Sequence, residues 1–178
     1  PGQHGQKGGT SDESLANWSA FYDENWAMGL HTPFASIFRR FARDRYQQHD
    51  LASGEQKIFE AWLQIENRGD LATLVESEIE IEKLPAGSVF GEVRSDDGKL
   101  AERCAVVVLK DAKPYAWTLC EAGRYNMALP AGSYTAYATA RAHAPGSTQS
   151  IDLKPGTKIQ LDHQGLRPPG LVAIQVKE

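Results

Sequence analysis

Two cysteines, Cys104 and Cys120, bracket the stretch CAVVVLKDAKPYAWTLC. Runs rich in β-formers lie on either side of its middle, so the stretch predicts a hairpin folded about Ala112, with the two thiols facing each other across an antiparallel ladder. Facing side chains in such a ladder have Cβ atoms roughly 4.5–5.5 Å apart, close to what a disulfide accepts. Two free thiols are nevertheless the favoured reading and the bridge its alternative, because a bulge of one residue in either strand would shift the register. A bridge suits an oxidising compartment, and free thiols suit the cytoplasm. In the same stretch Tyr115, Trp117 and Leu119 share a face at period two, and Tyr137 falls on the outward face of a later alternating run. Flat exposed aromatics of this kind stack on sugar rings, whereas a Trp between two sheets is simply core.

Other chemistries find less support. His4, His31, His49, His143 and His163 are scattered, without the close His spacing or neighbouring Cys pair of a zinc site. In ESEIEIE the carboxylates Glu76, Glu78, Glu80 and Glu82 alternate along an expected strand and read as a solvated face rather than a calcium site. Asp50, Asp70 and Asp152 read as loop or cap residues. No G-x-S-x-G elbow, phosphate loop or dinucleotide fingerprint occurs. The sequence therefore names no catalytic residue, no metal ligand and no cofactor site, and no cofactor is expected.

With 178 residues the chain suits one domain, or a small domain with an appendage. Hydrophobic residues make up 41% and charged residues 24%, with a formal net charge of -4, an ordinary balance for a globular protein. That charge argues against a nucleic-acid partner, and the local basic run RRFARDR reads as a solvated helix face. No apolar run approaches the roughly 20 residues of a membrane-spanning helix. The chain opens PGQHGQKGGTSDES, without a methionine or an apolar signal core, as a processed or excised piece would.

Three regions are expected. Residues 1–14 form a disordered tail, having nothing to bury. Residues 15–84 form a mixed helix and strand extension that packs on the β-rich region after it. Its clearest helix is HTPFASIFRRFARDRY, where Thr32 caps, Pro33 occupies the first turn, and Phe34, Ile37, Phe38 and Phe41 make an apolar stripe expected to cover the neighbouring region. Further on, Phe59, Ala61, Leu63 and Ile65 alternate as in a strand ending at Asn67-Arg68-Gly69-Asp70, although Ser53 and Gln56 would also make a helix capping box. Asp70 would cap a short helix, LATLVES, and EIEIEKLP would alternate as a strand with Ile79 and Ile81 inward. From residue 85 to 178, short β-rich runs punctuated by Gly, Pro and Asp-Gly indicate an antiparallel sandwich or barrel. Within MALPAGSYTAYATA, Pro130 and Gly132 mark the junction of two strands, and Tyr134, Ala136, Ala138 and Ala140 share one face.

The order Gly91-Glu92-Val93, Asp97-Gly98, Ala105 to Leu109, Gly123-Arg124-Tyr125 and Leu129-Pro130-Ala131-Gly132-Ser133-Tyr134 resembles the carboxypeptidase regulatory-like family. The resemblance covers roughly residues 86 to 162. It implies a mainly β chain, an antiparallel transthyretin-like (prealbumin-like) β-sandwich with an N-terminal α/β extension. It also makes Leu129, Pro130, Gly132 and Tyr134 a structural corner with Tyr134 facing the core. In TLCEAGRY, Cys120 and Ala122 stand where that family carries polar turn residues, which implies a looser turn. A second resemblance runs through NWAMGLHTPFASIFRR, RGDLATLVE and RPPGLVAIQVKE, which are similar to the region preceding the catalytic domain of bacterial carbaryl-hydrolase-like metallohydrolases. It implies that a hydrolase's metal ligands would lie downstream of Glu178.

The expected function is a non-catalytic structural or interaction module, an accessory region of a larger protein. Its partners would be proteins or adjoining domains of the same polypeptide, with a secreted or periplasmic setting favoured over the cytoplasm. A fragment of a metal-dependent hydrolase and a carbohydrate-binding module, the latter with carbohydrate as partner, are the alternatives.

Overall fold

A computed structural model of the chain describes residues 6–7, 18–33 and 51–170. The helix expected from Phe34 onward and the last of the β-rich runs expected over 85–178, LVAIQV, lie outside the described residues. Of the tail expected over 1–14, only Gln6 and Lys7 are described.

In chain order the elements are β1 (Gln6–Lys7), β2 (Trp18–Tyr22), β3 (Ala27–His31), β4 (Trp62–Glu66), α1 (Ala72–Glu82), β5 (Ala86–Ser95), β6 (Cys104–Lys110) and β7 (Lys113–Leu119). After these come β8 (Arg124–Pro130), β9 (Gly132–Ala140), β10 (Gln149–Leu153), β11 (Lys158–Gln160) and β12 (His163–Leu166). The described chain is mainly β, with three sheets and one helix.

The first sheet runs β1-β2-β3-β4, all antiparallel. Its β2–β3 turn is held by the Asp23 carboxylate, which accepts from the backbone N–H groups of Asn25 (2.7 Å) and Trp26 (3.0 Å). Such local bonds are why Asp favours turns over strand interiors. The second sheet runs β10-β9-β6-β7, also antiparallel. In the third, β5 is central: β8 pairs antiparallel with one edge, while β11 and then β12 pair parallel with the other.

That parallel pairing corrects the expectation of a purely antiparallel arrangement. Parallel neighbours need a long crossover rather than a hairpin. Here the chain leaves β5, passes through β6 and β7, comes back antiparallel as β8, and reaches the other edge of β5 as β11 only after β9 and β10. Nothing in the local pattern of TKIQLD distinguishes the two senses.

Residues 72 to 82 correct a second expectation. EIEIEKLP alternates as a strand would, yet α1 runs unbroken through its EIEIE portion. Leu71, Leu74, Val75, Glu78 and Ile79 recur at helical intervals, and all are buried or packed against the core. The Glu-Ile alternation is compatible with either period, and the packing stripe decides. The helix stops at Lys83, which takes a left-handed conformation (φ 52°) and donates to the Glu80 carbonyl, just ahead of Pro85.

One buried cluster joins all three sheets and the helix. It takes Trp18, Ala20 and Ala27 from the first sheet, Val89 and Val93 from β5, Val106 and Val108 from β6, Met127 and Leu129 from β8, Ala136 and Ala138 from β9, Ile151 and Leu153 from β10, and Leu71 and Leu74 from the helix side. At the junction foreseen in the sequence, β8 ends at Pro130 and β9 begins at Gly132. Tyr134 is buried there, and its hydroxyl donates to the Pro130 carbonyl at 2.8 Å.

His163 on β12 carries a pH dependence. The Gln149 side-chain amide donates both to the Asp162 carbonyl (3.0 Å) and to His163 Nδ1 (3.1 Å), which fixes that ring nitrogen as an acceptor. Burial holds His163 below its ordinary pKa, against a smaller opposing pull from the Asp162 carboxylate, and Tyr125 packs beside the ring. The unfolded chain therefore binds this proton more readily than the folded one. Stability contributed here is present above about pH 6.5 and is lost as pH falls below it. Urea midpoints at pH 7.5 and pH 5 should fall further for the wild type than for His163→Gln, and equal falls would refute the assignment.

Candidate functional site

The hairpin β6–β7 turns through Asp111 and Ala112, both with positive φ (52° and 59°), and Lys110 pairs with Lys113. A regular ladder from that two-residue turn would set Cys104 opposite Leu119. Instead Leu109 pairs with Pro114 and Val108 with Ala116, so Tyr115 is an extra residue in a bulge. Pro114, with no N–H to offer, stands at the irregularity, where a strand tolerates it. The bulge shifts every later pair by one. Ala105 then faces Leu119, and at the next position the Cys120 N–H donates to the Cys104 carbonyl at 2.8 Å. The cysteines are thus brought together by a bulge, not by symmetry about Ala112.

Cys104 is buried, Cys120 half-buried, and both carry free thiols. The Cys104 thiol also donates to the Ala101 carbonyl at 3.3 Å. The proximity of the two thiols holds Cys104 below the ordinary cysteine value and, with burial, pushes Cys120 above it.

β7 is an edge strand, and its outward backbone groups are occupied by the segment before α1. Leu71 N–H donates to the Trp117 carbonyl (3.1 Å), and Leu119 N–H donates to Asp70 Oδ2 (2.8 Å). Arg68 completes the clamp, donating to Asp70 Oδ2 (2.7 Å), the Leu119 carbonyl (2.7 Å) and Glu121 Oε1 (2.6 Å). Asp70 was expected to cap the helix. That is corrected: Leu71 occupies the cap position without a side-chain bond, and the Asp70 carboxylate closes the sheet edge, a role set by a strand 49 residues away.

The aromatics have different surroundings. Trp117 is half-buried, donates its indole N–H to the Gly69 carbonyl (3.2 Å) and meets Tyr22 edge-on with centroids 4.5 Å apart. Tyr115 packs against Tyr134, with the Lys110 ammonium 5.6 Å from its ring centroid. Tyr137 and Trp117 both pair with Val107, so these three form one row across a single face of the sheet, with Tyr137 half-buried.

Between the first sheet and α1 lies a buried polar contact that sequence reasoning missed. His31 Nδ1 is 2.7 Å from Glu78 Oε2, and its Nε2 is 3.1 Å from Gln64 Oε1. The contact ties β3, β4 and α1 together, and it corrects the reading of Glu78 as part of a solvated strand face. The helical stripe from Leu71 to Ile79 was the available signal. Gly29 permits the close approach, since a Cβ there would stand 2.9 Å from His31 Nε2 and 3.0 Å from Leu74 Cδ2.

The opposite face of that sheet is apolar and open. Phe21 pairs with Met28 and Met28 with Ile65, while Leu30 pairs with Leu63. Relative exposure is 46% at Phe21, 63% at Leu63 and 70% at Ile65, and β4 is an edge strand. The alternation of Leu63 and Ile65 thus marks a face turned away from α1, while Phe59, expected in the same strand, precedes β4.

Among the described residues, no group of three or more His, Cys, Asp or Glu side chains is placed to hold a metal ion. No helix among them is long and apolar enough to cross a membrane. No protein-family model and no curated protein matches the chain. Among solved structures it is similar to the Bacillus anthracis TIE protein, at 10% identity and a TM-score of 0.35, over 88% of this chain and 27% of that one. The chain thus spans about a quarter of the length of that structure.

Proposed function

We propose that the chain is a non-catalytic interaction module, a transthyretin-like β-sandwich of the carboxypeptidase regulatory type that serves as an accessory region of a larger protein. The shared core of the second and third sheets and the Tyr134–Pro130 corner support the sandwich reading. The open apolar face of Phe21, Leu63 and Ile65 carries the interaction reading. Apolar side chains in adjacent registers make a continuous patch, and covering it removes apolar surface from water at about 25 cal/mol per Å². The occupant is an adjoining part of the same polypeptide, in an extracytoplasmic setting. By contrast, the polar groups His31, Glu78, Arg68 and Asp70 are engaged in joining backbone elements.

The test compares hydrogen exchange in this chain alone and within its full gene product. Amides of residues 58–66 should exchange more slowly in the longer polypeptide, and the chain alone, supplied with divalent metals, should turn over no ester or phosphoester. Equal exchange in both forms would remove the interaction surface. Metal-dependent turnover abolished by a single His substitution would establish a hydrolase instead.

A further inference from the structure

We infer that Cys104 and Cys120 form a reversible dithiol–disulfide pair, making the β6–β7 end the chain's site of exchange with low-molecular-weight disulfides. The inference stands on the hairpin geometry and is independent of the function proposed above. The bond from Cys120 N–H to the Cys104 carbonyl continues the register one position past Ala105–Leu119 and sets the two residues opposite each other. Cα atoms of such a pair are about 5.5 Å apart, within the span a disulfide accepts. The second requirement is access for one sulfur only, so that the bond made is intrachain. Cys104 is 2% exposed, and Cys120 is half-buried at the end of the hairpin.

The exchange runs in two steps. Cys120 Sγ loses its proton to solvent and attacks one sulfur of an oxidised glutathione molecule, which breaks that disulfide, releases one glutathione thiolate and leaves a mixed disulfide on Cys120. Cys104 Sγ, already at the site, loses its proton, attacks the Cys120 sulfur and expels the second glutathione thiolate. The two protons end on the two glutathiones, so two protein thiols are oxidised and one glutathione disulfide is reduced to two thiols. Oxidation would staple the end of β7 beside the clamp that Arg68 and Asp70 make on Leu119.

The test is equilibration of the whole chain in anaerobic glutathione buffers from fully reduced to fully oxidised, then acid quenching, alkylation and mass measurement. Both thiols should disappear together in a monomer without glutathione attached, return when reduced glutathione is restored, and leave the oxidised form melting at a higher temperature. Cys104→Ser should trap glutathione on Cys120, whereas Cys120→Ser should leave Cys104 unmodified while folded. Two free thiols at the most oxidising ratio, a lasting glutathione adduct on the wild type, or disulfide-linked dimers would each overturn the inference. The wild-type titration decides the matter even if a serine variant fails to fold.

Discussion

Gly91→Ala is expected to lower the unfolding free energy by about 3 kcal/mol, with no polar or charged side chain altered. Gly91 lies in the middle of β5, paired with Tyr125 on β8. On its other side the chain passes from β11 to β12 through Leu161 and Asp162, and a Cβ at Gly91 would fall on the Leu161 carbonyl, its atoms 2.2 Å (oxygen) and 2.7 Å (carbon) away. The same carbonyl accepts the Tyr125 hydroxyl at 2.6 Å, while Leu161 N–H donates to the Phe90 carbonyl. Relief requires the β11–β12 passage to move off β5. That combines overpacking, typically about 1–3 kcal/mol, with the loss of about one buried hydrogen bond, near 1 kcal/mol. Gly170→Ala is the control, since nothing lies within 4 Å of its added Cβ. Urea unfolding of both variants checks the claim, and a Gly91→Ala midpoint equal to that of the control would contradict it.

Asp70→Ala should cost about the same, near 3 kcal/mol, by a different route. Its carboxylate is fully buried and accepts from Leu119 N–H and from the Arg68 guanidinium. Alanine leaves a sheet-edge donor without its acceptor and removes the buried carboxylate from the Arg68 guanidinium. Removing one member of a buried pair costs about 3–5 kcal/mol. The lower end applies because the Arg68 side chain is 35% exposed and keeps Glu121 as a partner. Asp70→Asn, which retains an acceptor for Leu119 but not the charge, should recover more than half of the loss. Equal losses in the two variants would show that the backbone bond carries none of the effect.

Much of the fold was legible residue by residue. The period-two runs of β5 to β10 appear where the sequence places them, because one buried and one wet face impose alternation on the chain itself. Pro130 and Gly132 end one strand and begin the next for reasons internal to those two residues. Similarly, the alternation of Leu63 and Ile65 marks a strand whichever way it faces.

The sequence by itself determined these local periods and their punctuation; the tertiary structure decided which surface each residue meets. The four-residue β12, containing Gly165 at positive φ, exists only because β5 offers it a free edge. Glu78 is buried because His31 arrives from another sheet, and Asp70 leaves the helix cap because β7 presents an unpaired N–H. The cysteines meet because one bulge shifts a ladder by one residue, a choice worth little locally but settled by the packing of both strand faces. Local pattern reports the backbone's own preference, whereas partners distant in sequence contribute free energies of similar size that no single segment encodes.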